Sequence, residues 1–225
     1  MQISELYHAI QGEGQWTGTP SVFVRFTGCN LRCWFCDTPF TSWTPKGEQK
    51  SLQQILDQTL QFDDLHVVIT GGEPMLQPDL PELTRELKQA GRIITIETAG
   101  TIYQPVEVDL ISISPKLSNS VPQKDPAWAK RHEERRHQPE VIKQLMEYEY
   151  QFKFVIDSPE DLDEVLSYID LFPSLNRQQV WVMPQATTQK QLIEKSDWLE
   201  ELADQHSLQF SSRRHIALFG NERGH

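Results

Sequence analysis

Cysteine, positive charge and long apolar runs are what this chain has least of, and each shortage excludes something. Only three of its 225 residues are cysteine. An odd three cannot close into a disulfide framework, and so few suit a reducing compartment. Lysine and arginine number 21 against 32 aspartates and glutamates, a formal net charge of −11. That balance argues against general affinity for nucleic acid or anionic membranes, which need clustered positive charge. No stretch approaches the roughly 18 apolar residues of a membrane span. The start, Met1-Gln2-Ile3-Ser4-Glu5, lacks the charged and apolar regions of a secretion signal. The expectation is a soluble cytoplasmic protein with no direct nucleic-acid or membrane partner. At this length a chain buries roughly 70–75% of its unfolded surface and needs no staples, so a single domain over residues 1–225 is expected.

What is there is an alternation of strands and helices. Residues 21–27 are β-branched and aromatic and stop at Gly28, which reads as a strand. The short apolar run 66–70, halted by Gly71-Gly72, suits a buried parallel strand. Further strands are expected at 92–97, 109–114, 151–156, 178–183 and 214–219. Helices are expected at 51–61 with Ser51 as N-cap, at 79–90 between Asp79 and Gly91, and at 140–148, 159–171 and 188–205. Residues 115–139 break the pattern with four prolines and the charged run 130–136. They read as a polar surface excursion with a short helix at 128–136 and solvated charges. Strand–helix alternation implies a parallel sheet with right-handed crossovers, whose sites gather at the carboxyl ends of the strands. A full eight-fold barrel takes about 250 residues. This chain has room for about six units, so the expected fold is α/β, a partial, laterally open (β/α)6-type barrel.

All three cysteines fall within Cys29-Asn-Leu-Arg-Cys33-Trp-Phe-Cys36, a C-x3-C-x2-C spacing placed directly after the first strand. Three packed thiols are the plain reading, since free cysteine behaves as a small hydrophobe. A structural zinc would need a fourth ligand, and the nearest histidines, His8 and His66, lack finger-like spacing. Closely spaced thiolates in a loop also suit an iron–sulfur cluster. Three protein ligands on a four-iron cluster leave one iron open to bind a cofactor.

The triplet, with Phe35 before its last cysteine, together with Gly71-Gly72-Glu73-Pro74 downstream, resembles the paired motifs of the radical S-adenosylmethionine superfamily. That superfamily's partial barrel agrees with the strand count. Further motifs narrow the resemblance: Ile10-Gln11-Gly12-Glu13-Gly14, Arg25, Cys36-Asp37-Thr38, Glu97-Thr98-Ala99-Gly100-Thr101 and Ser114-Pro115-Lys116. Together they closely resemble the 7-carboxy-7-deazaguanine synthase family of queuosine and 7-deazapurine biosynthesis, over residues 5–120 and more weakly beyond. The resemblance implies a carbon–nitrogen lyase that contracts the ring of 6-carboxy-5,6,7,8-tetrahydropterin to 7-carboxy-7-deazaguanine with loss of ammonia. The alternative is a radical activase acting on a protein partner.

The resemblance also implies roles. Cys29, Cys33 and Cys36 would hold a [4Fe-4S] cluster. Phe35, Asp37, Gly72, Ser114, Pro115, Lys116, Met183, Pro184, Gln185 and Ala186 would border S-adenosylmethionine. Ile10, Gln11, Gly12, Arg25, Thr70 and His215 would contact the substrate, with Arg25 drawn to its carboxylate and Glu13 facing the site. An arginine inside an apolar strand is costly unless paired, so a salt bridge to an internal carboxylate is the alternative for Arg25. Glu97, at a strand end, is the candidate catalytic residue and could instead bind ribose hydroxyls. Thr38 would bind magnesium, although Asp37 is the more natural ligand by chemistry alone. Homodimerisation and a flavodoxin or ferredoxin electron donor are implied by analogy.

Overall fold

Alternate apolar positions along the strands give this protein two distinct sheet faces, and the fold follows from covering one and enclosing the other. The structure, a computed structural model, describes residues 1–220 and 223–224. Its strands are β1 (Gln2–Ile10), β2 (Pro20–Phe26), β3 (Glu48–Gln49), β4 (His66–Gly71), β5 (Ile93–Thr98), β6 (Leu110–Ile113), β7 (Tyr150–Ile156), β8 (Val180–Pro184) and β9 (Gln209–Phe210). They form one sheet in the order β3-β1-β2-β4-β5-β6-β7-β8-β9. From β2 to β9 every pairing is parallel. At the other edge β1 runs antiparallel to both β2 and β3. The edge strands β3 and β9 do not meet, so the barrel is partial and open.

The helices are α1 (Pro39–Ser42), α2 (Leu52–Leu60), α3 (Leu80–Gln89), α4 (Pro126–Arg136), α5 (Pro139–Leu145), α6 (Asp161–Ile169), α7 (Gln189–Gln205) and α8 (Arg214–Phe219). Ser51 starts α2 through a reciprocal capping box. Its hydroxyl accepts from the Gln54 amide at 3.2 Å, and the Gln54 side chain accepts from the Ser51 amide at 2.8 Å. Asp79 occupies the N-cap of α3 without a side-chain bond. The main core lies between sheet and helices. Val22, Val24 and Phe26 of β2, Val67 and Ile69 of β4, and Phe152, Phe154 and Ile156 of β7 meet the leucines and isoleucines of the helices there.

Three expectations are corrected. The final strand expected at 214–219 is the helix α8. Arg213 takes a left-handed backbone (φ 49°) that turns the chain after β9, and Ile216 is the residue of this segment buried, against Ala186 and Leu192. β1 has no counterpart in the sequence reading, because its mixed polar residues hide the period. The run 130–136 is not simply a solvated face. His132 has no solvent exposure, and Arg136 donates to Glu133, Glu164 and the Lys116 carbonyl.

Candidate active site

Strand alternation sends successive side chains to opposite faces, so the residues between the core positions point into the barrel, and many of them are polar. Ser21, His66 and Thr95 form one layer. The two ring nitrogens of His66 bond Ser21 Oγ and Thr95 Oγ1, each at 2.8 Å, and Trp16 lies against the ring. Burial pushes His66 down to about 4, opposed by Glu97 and Asp109. In the next layer Gln151 donates to Ser112 at 3.0 Å. Above these, at the carboxyl ends of the strands, the lumen opens into a cleft with two halves.

One half is walled by the cysteine loop. Cys29, Cys33 and Cys36 line it with Phe35, Gly72, Thr98, Ser114, Lys116 and Met183. The loops after β2, β4, β5 and β6 therefore converge there with Met183 of β8, as the position of the motifs suggests. The cysteines are free thiols. Burial pushes Cys29 up to about 11 and Cys33 to about 12, and raises Cys36 as well. They ionise only against a strong local cation, the condition a bound iron cluster supplies. Gly72 is required by close approach: a Cβ there would stand 2.1 Å from the Gly28 carbonyl oxygen and 2.9 Å from Cys29 Cβ. The glutamate of the same motif, Glu73, faces away. It is fully buried and accepts from Met75 N, Thr98 Oγ1 and Ala99 N, latching the loop after β4 to the loop after β5.

The other half is lined by Glu5, Tyr7, Ile10, Gln11, Gly12, Phe23, Arg25 and His215. Arg25 Nε lies 2.9 Å from Glu5 Oε2 and Nη2 donates to the Tyr7 hydroxyl. Both readings of Arg25 thus coexist, an internal pair and a cleft position, with Nη1 lacking a partner among the described residues. Gly12 makes room for His215, since a Cβ would fall 2.2 Å from the imidazole Nδ1. Burial lowers the His215 pKa, opposed by Glu13.

Glu13, Asp37, Thr38, Thr70, Gly71 and Glu97 line both halves. At this junction Lys153 Nζ sits 2.8 Å from Glu13 Oε2 and 2.8 Å from Glu97 Oε1. Thr70 Oγ1 donates to the other Glu97 oxygen at 3.0 Å, and Gln11 Nε2 reaches Oε1 at 3.3 Å. Arg213 bonds Glu13, Asp37 and the Ala186 carbonyl. Burial works to raise the Glu13 pKa, but Lys153, Arg213 and His215 pull it well below the carboxylate range. Burial likewise opposes the charge on Lys153, and Glu13 and Glu97 hold its pKa above the usual value.

Four of the residues expected to border the cofactor do not line the cleft. Pro115 is buried between Ser114 and Lys116, which face inward, so the pleat turns it away. Pro184 ends β8 beyond Met183. The Gln185 side-chain carbonyl oxygen accepts from Lys195, and Ala186 packs with Leu192 and Ile216. His215 lines the cleft from helix α8 rather than from a strand.

Comparison with known proteins places this arrangement. The model of the radical SAM superfamily matches residues 23–181. A 7-carboxy-7-deazaguanine synthase of Rhodopirellula baltica is 43% identical over 99% of this chain and 88% of its own length. One from Halobacterium salinarum is 38% identical over 98% and 91%. The chain belongs to the 7-carboxy-7-deazaguanine synthase family of radical SAM enzymes. Among solved structures, the crystal structure of QueE from Escherichia coli shares the fold, with a TM-score of 0.68 and 21% identity over 93% of this chain and 92% of that one.

Radical SAM enzymes use an iron–sulfur cluster and S-adenosylmethionine, and the donor set here fits the cluster. Three thiols face one cleft, and the histidines considered for zinc are occupied elsewhere. His66 has both nitrogens bonded, and His8 pairs with Asp64 at 3.1 Å. Lys153 and Arg213 escaped the sequence reading. Lys153 carried a signal: it and Gln151 are polar residues at alternate positions of an otherwise apolar strand, the pattern of a polar lumen. Arg213 had none, because its position depends on the turn into α8.

Proposed function

We propose that this enzyme converts 6-carboxy-5,6,7,8-tetrahydropterin to 7-carboxy-7-deazaguanine with loss of ammonia. The observation that carries the reading is the junction: a cysteine-walled half and an arginine-bearing half share Glu97, Thr70 and Thr38. Bound in the first half, a [4Fe-4S] cluster held by Cys29, Cys33 and Cys36 and S-adenosylmethionine supply the electron and the radical that start the ring contraction. Gly72, Ser114, Lys116, Phe35 and Met183 shape the cofactor's walls. In the second half Arg25 offers Nη1 to the substrate carboxylate, while Ile10, Gln11, Gly12 and His215 border the bicyclic ring. Glu97 stands between the halves with its charge held by Lys153, where a carboxylate can move a proton at the reacting ring.

Magnesium is assigned to Thr38 in this reading. Asp37, the stronger ligand by charge, has one carboxylate oxygen taken by Arg213, and the Thr38 hydroxyl beside it also faces both halves. A single oxygen from protein, completed by substrate and water, suits this cation. The reading also includes a homodimer and a flavodoxin or ferredoxin donor, both carried by the family resemblance, and a cytoplasmic setting, carried by the low cysteine count.

The test is a product assay with reconstituted protein under anaerobic reduction, given the carboxylated pterin, S-adenosylmethionine and magnesium. Formation of 7-carboxy-7-deazaguanine is expected, and its absence from protein that still cleaves S-adenosylmethionine would overturn the substrate assignment. In the same assay Thr38→Ala is expected to lose magnesium stimulation. Unchanged stimulation would move the metal elsewhere.

A further inference from the structure

The cysteine loop is held from outside the cleft. The turn Ser118–Ser120 and α4 pack on residues 29–36 without lining either half. The Arg32 amide donates to His132 Nδ1 at 3.1 Å. The Trp34 amide donates to the Ser120 carbonyl at 3.1 Å, and its indole Nε1 to the Asn119 carbonyl at 2.6 Å. The Arg32 guanidinium lies 4.1 Å from the centre of the Trp128 ring, and Arg135 donates to the Asn30 carbonyl.

His132 is the centre of this brace. Because Nδ1 accepts from Arg32, the ring proton belongs on Nε2, which donates to Ser120 Oγ at 2.8 Å. That hydroxyl donates in turn to the Leu117 carbonyl at 2.6 Å. Every polar atom of this fully buried side chain is therefore committed. Within the loop the neighbouring Leu31 amide takes the other direction, toward Cys29 Sγ at 3.4 Å. Consecutive amides thus divide between sulfur and brace. Amide donors to the sulfurs of an iron–sulfur cluster are one of the levers that set its reduction potential.

We propose that His132 is a positioning residue of the cysteine loop, holding the Arg32 amide on the outer side and away from the sulfurs. This rests on the reading of Cys29, Cys33 and Cys36 as cluster ligands. The excursion 117–139 thereby limits the amide donors that a bound cluster meets and keeps the loop in one conformation.

Two substitutions separate the two ends of the imidazole. His132→Asn sets a carbonyl oxygen where Nδ1 stands and keeps an acceptor for Arg32. His132→Gln sets an amide nitrogen where Nε2 stands, so it serves Ser120 and leaves Arg32 without a partner. In metal-free protein, backbone hydrogen exchange over residues 29–36 is expected to accelerate several-fold in the Gln variant and to match wild type in the Asn variant. After reconstitution, the Gln variant is expected to show a raised cluster midpoint potential and an altered electron paramagnetic resonance spectrum. Equal behaviour of the two variants, whether both shifted or both unchanged, would overturn the proposal. Ser120→Ala, which leaves the acceptor side intact, is expected to resemble wild type in exchange over 29–36, and accelerated exchange there would overturn the assignment of the tether to Nδ1 even if the His132 variants fail to fold. Wild-type protein that takes up no iron on reconstitution would instead refute the cluster reading, with the exchange comparison still deciding the tether.

Discussion

Lys153 shows how much depends on a single side chain here. It is 3% exposed, pinned between Glu13 and Glu97, and without it two carboxylates face each other in a half-buried lumen. Breaking a buried pair from one side costs about 3–5 kcal/mol, mostly from the charge left behind. Lys153→Met is expected to lose that order of stability in urea denaturation. Adding Glu97→Gln to it should recover part, because Glu97 is the carboxylate stranded by the loss of Lys153, whereas Glu13 keeps Arg213. No recovery in the double variant would mean that the amine acts through packing rather than charge. The residues that line the cleft were unevenly legible. The cysteines, Gly72, Glu97 and Arg25 could be named from motifs and placed on strand ends. Lys153 and Arg213 belong to no short motif, and their meaning appears only when β7, the 11–19 turn and the chain after β9 come together.

At the scale of elements, the parallel strands were readable because β-branched runs ending in glycine or proline leave little choice. β1 and α8 were not. β1 is an edge-side strand with cleft-facing polar residues, and its hydrogen bonding to β2 supplies what its composition does not. α8 has six residues and one buried side chain, too short for a helical period to stand out. Loops are coupled as firmly as strands. Glu73 ties the loop after β4 to the loop after β5 through Met75 N, Thr98 Oγ1 and Ala99 N. Glu73→Ala leaves those buried donors without an acceptor, at about 1–3 kcal/mol for each group left unsatisfied. The expected result is a lower melting temperature, together with faster hydrogen exchange at residues 98–100. An unchanged melting temperature would show that water takes the acceptor's place.

Over the whole molecule, two buried neutral histidines make stability depend on pH. Burial pushes both His66 and His132 down to about 4 from an ordinary value of 6.5. A folded-state pKa below the unfolded value means that the unfolded chain binds the proton first. Stability is therefore fully present above about pH 6.5 and declines as pH falls toward 4. Each histidine is expected to cost about 2 kcal/mol between pH 7.5 and pH 5. Urea midpoints across that interval check this, before most carboxylates titrate, and a flat profile would contradict the neutral, buried assignment. The fold class was legible as a whole because strand count and chain length bounded it together. The antiparallel edge and the brace on the cysteine loop arise from long-range contacts, so no local pattern announces them.

The cleft's shared wall has a thermodynamic consequence. Glu13, Asp37, Thr38, Thr70, Gly71 and Glu97 belong to both halves, so an occupant of one half settles the side chains and charges that its neighbour must meet. Occupancy of the two halves is then linked by a coupling free energy, and the linkage is reciprocal: whatever factor the first occupant adds to the second's affinity, the second returns to the first. The enzyme can thereby favour the ternary state over either half-filled one, and a radical need form only where there is a ring to receive it.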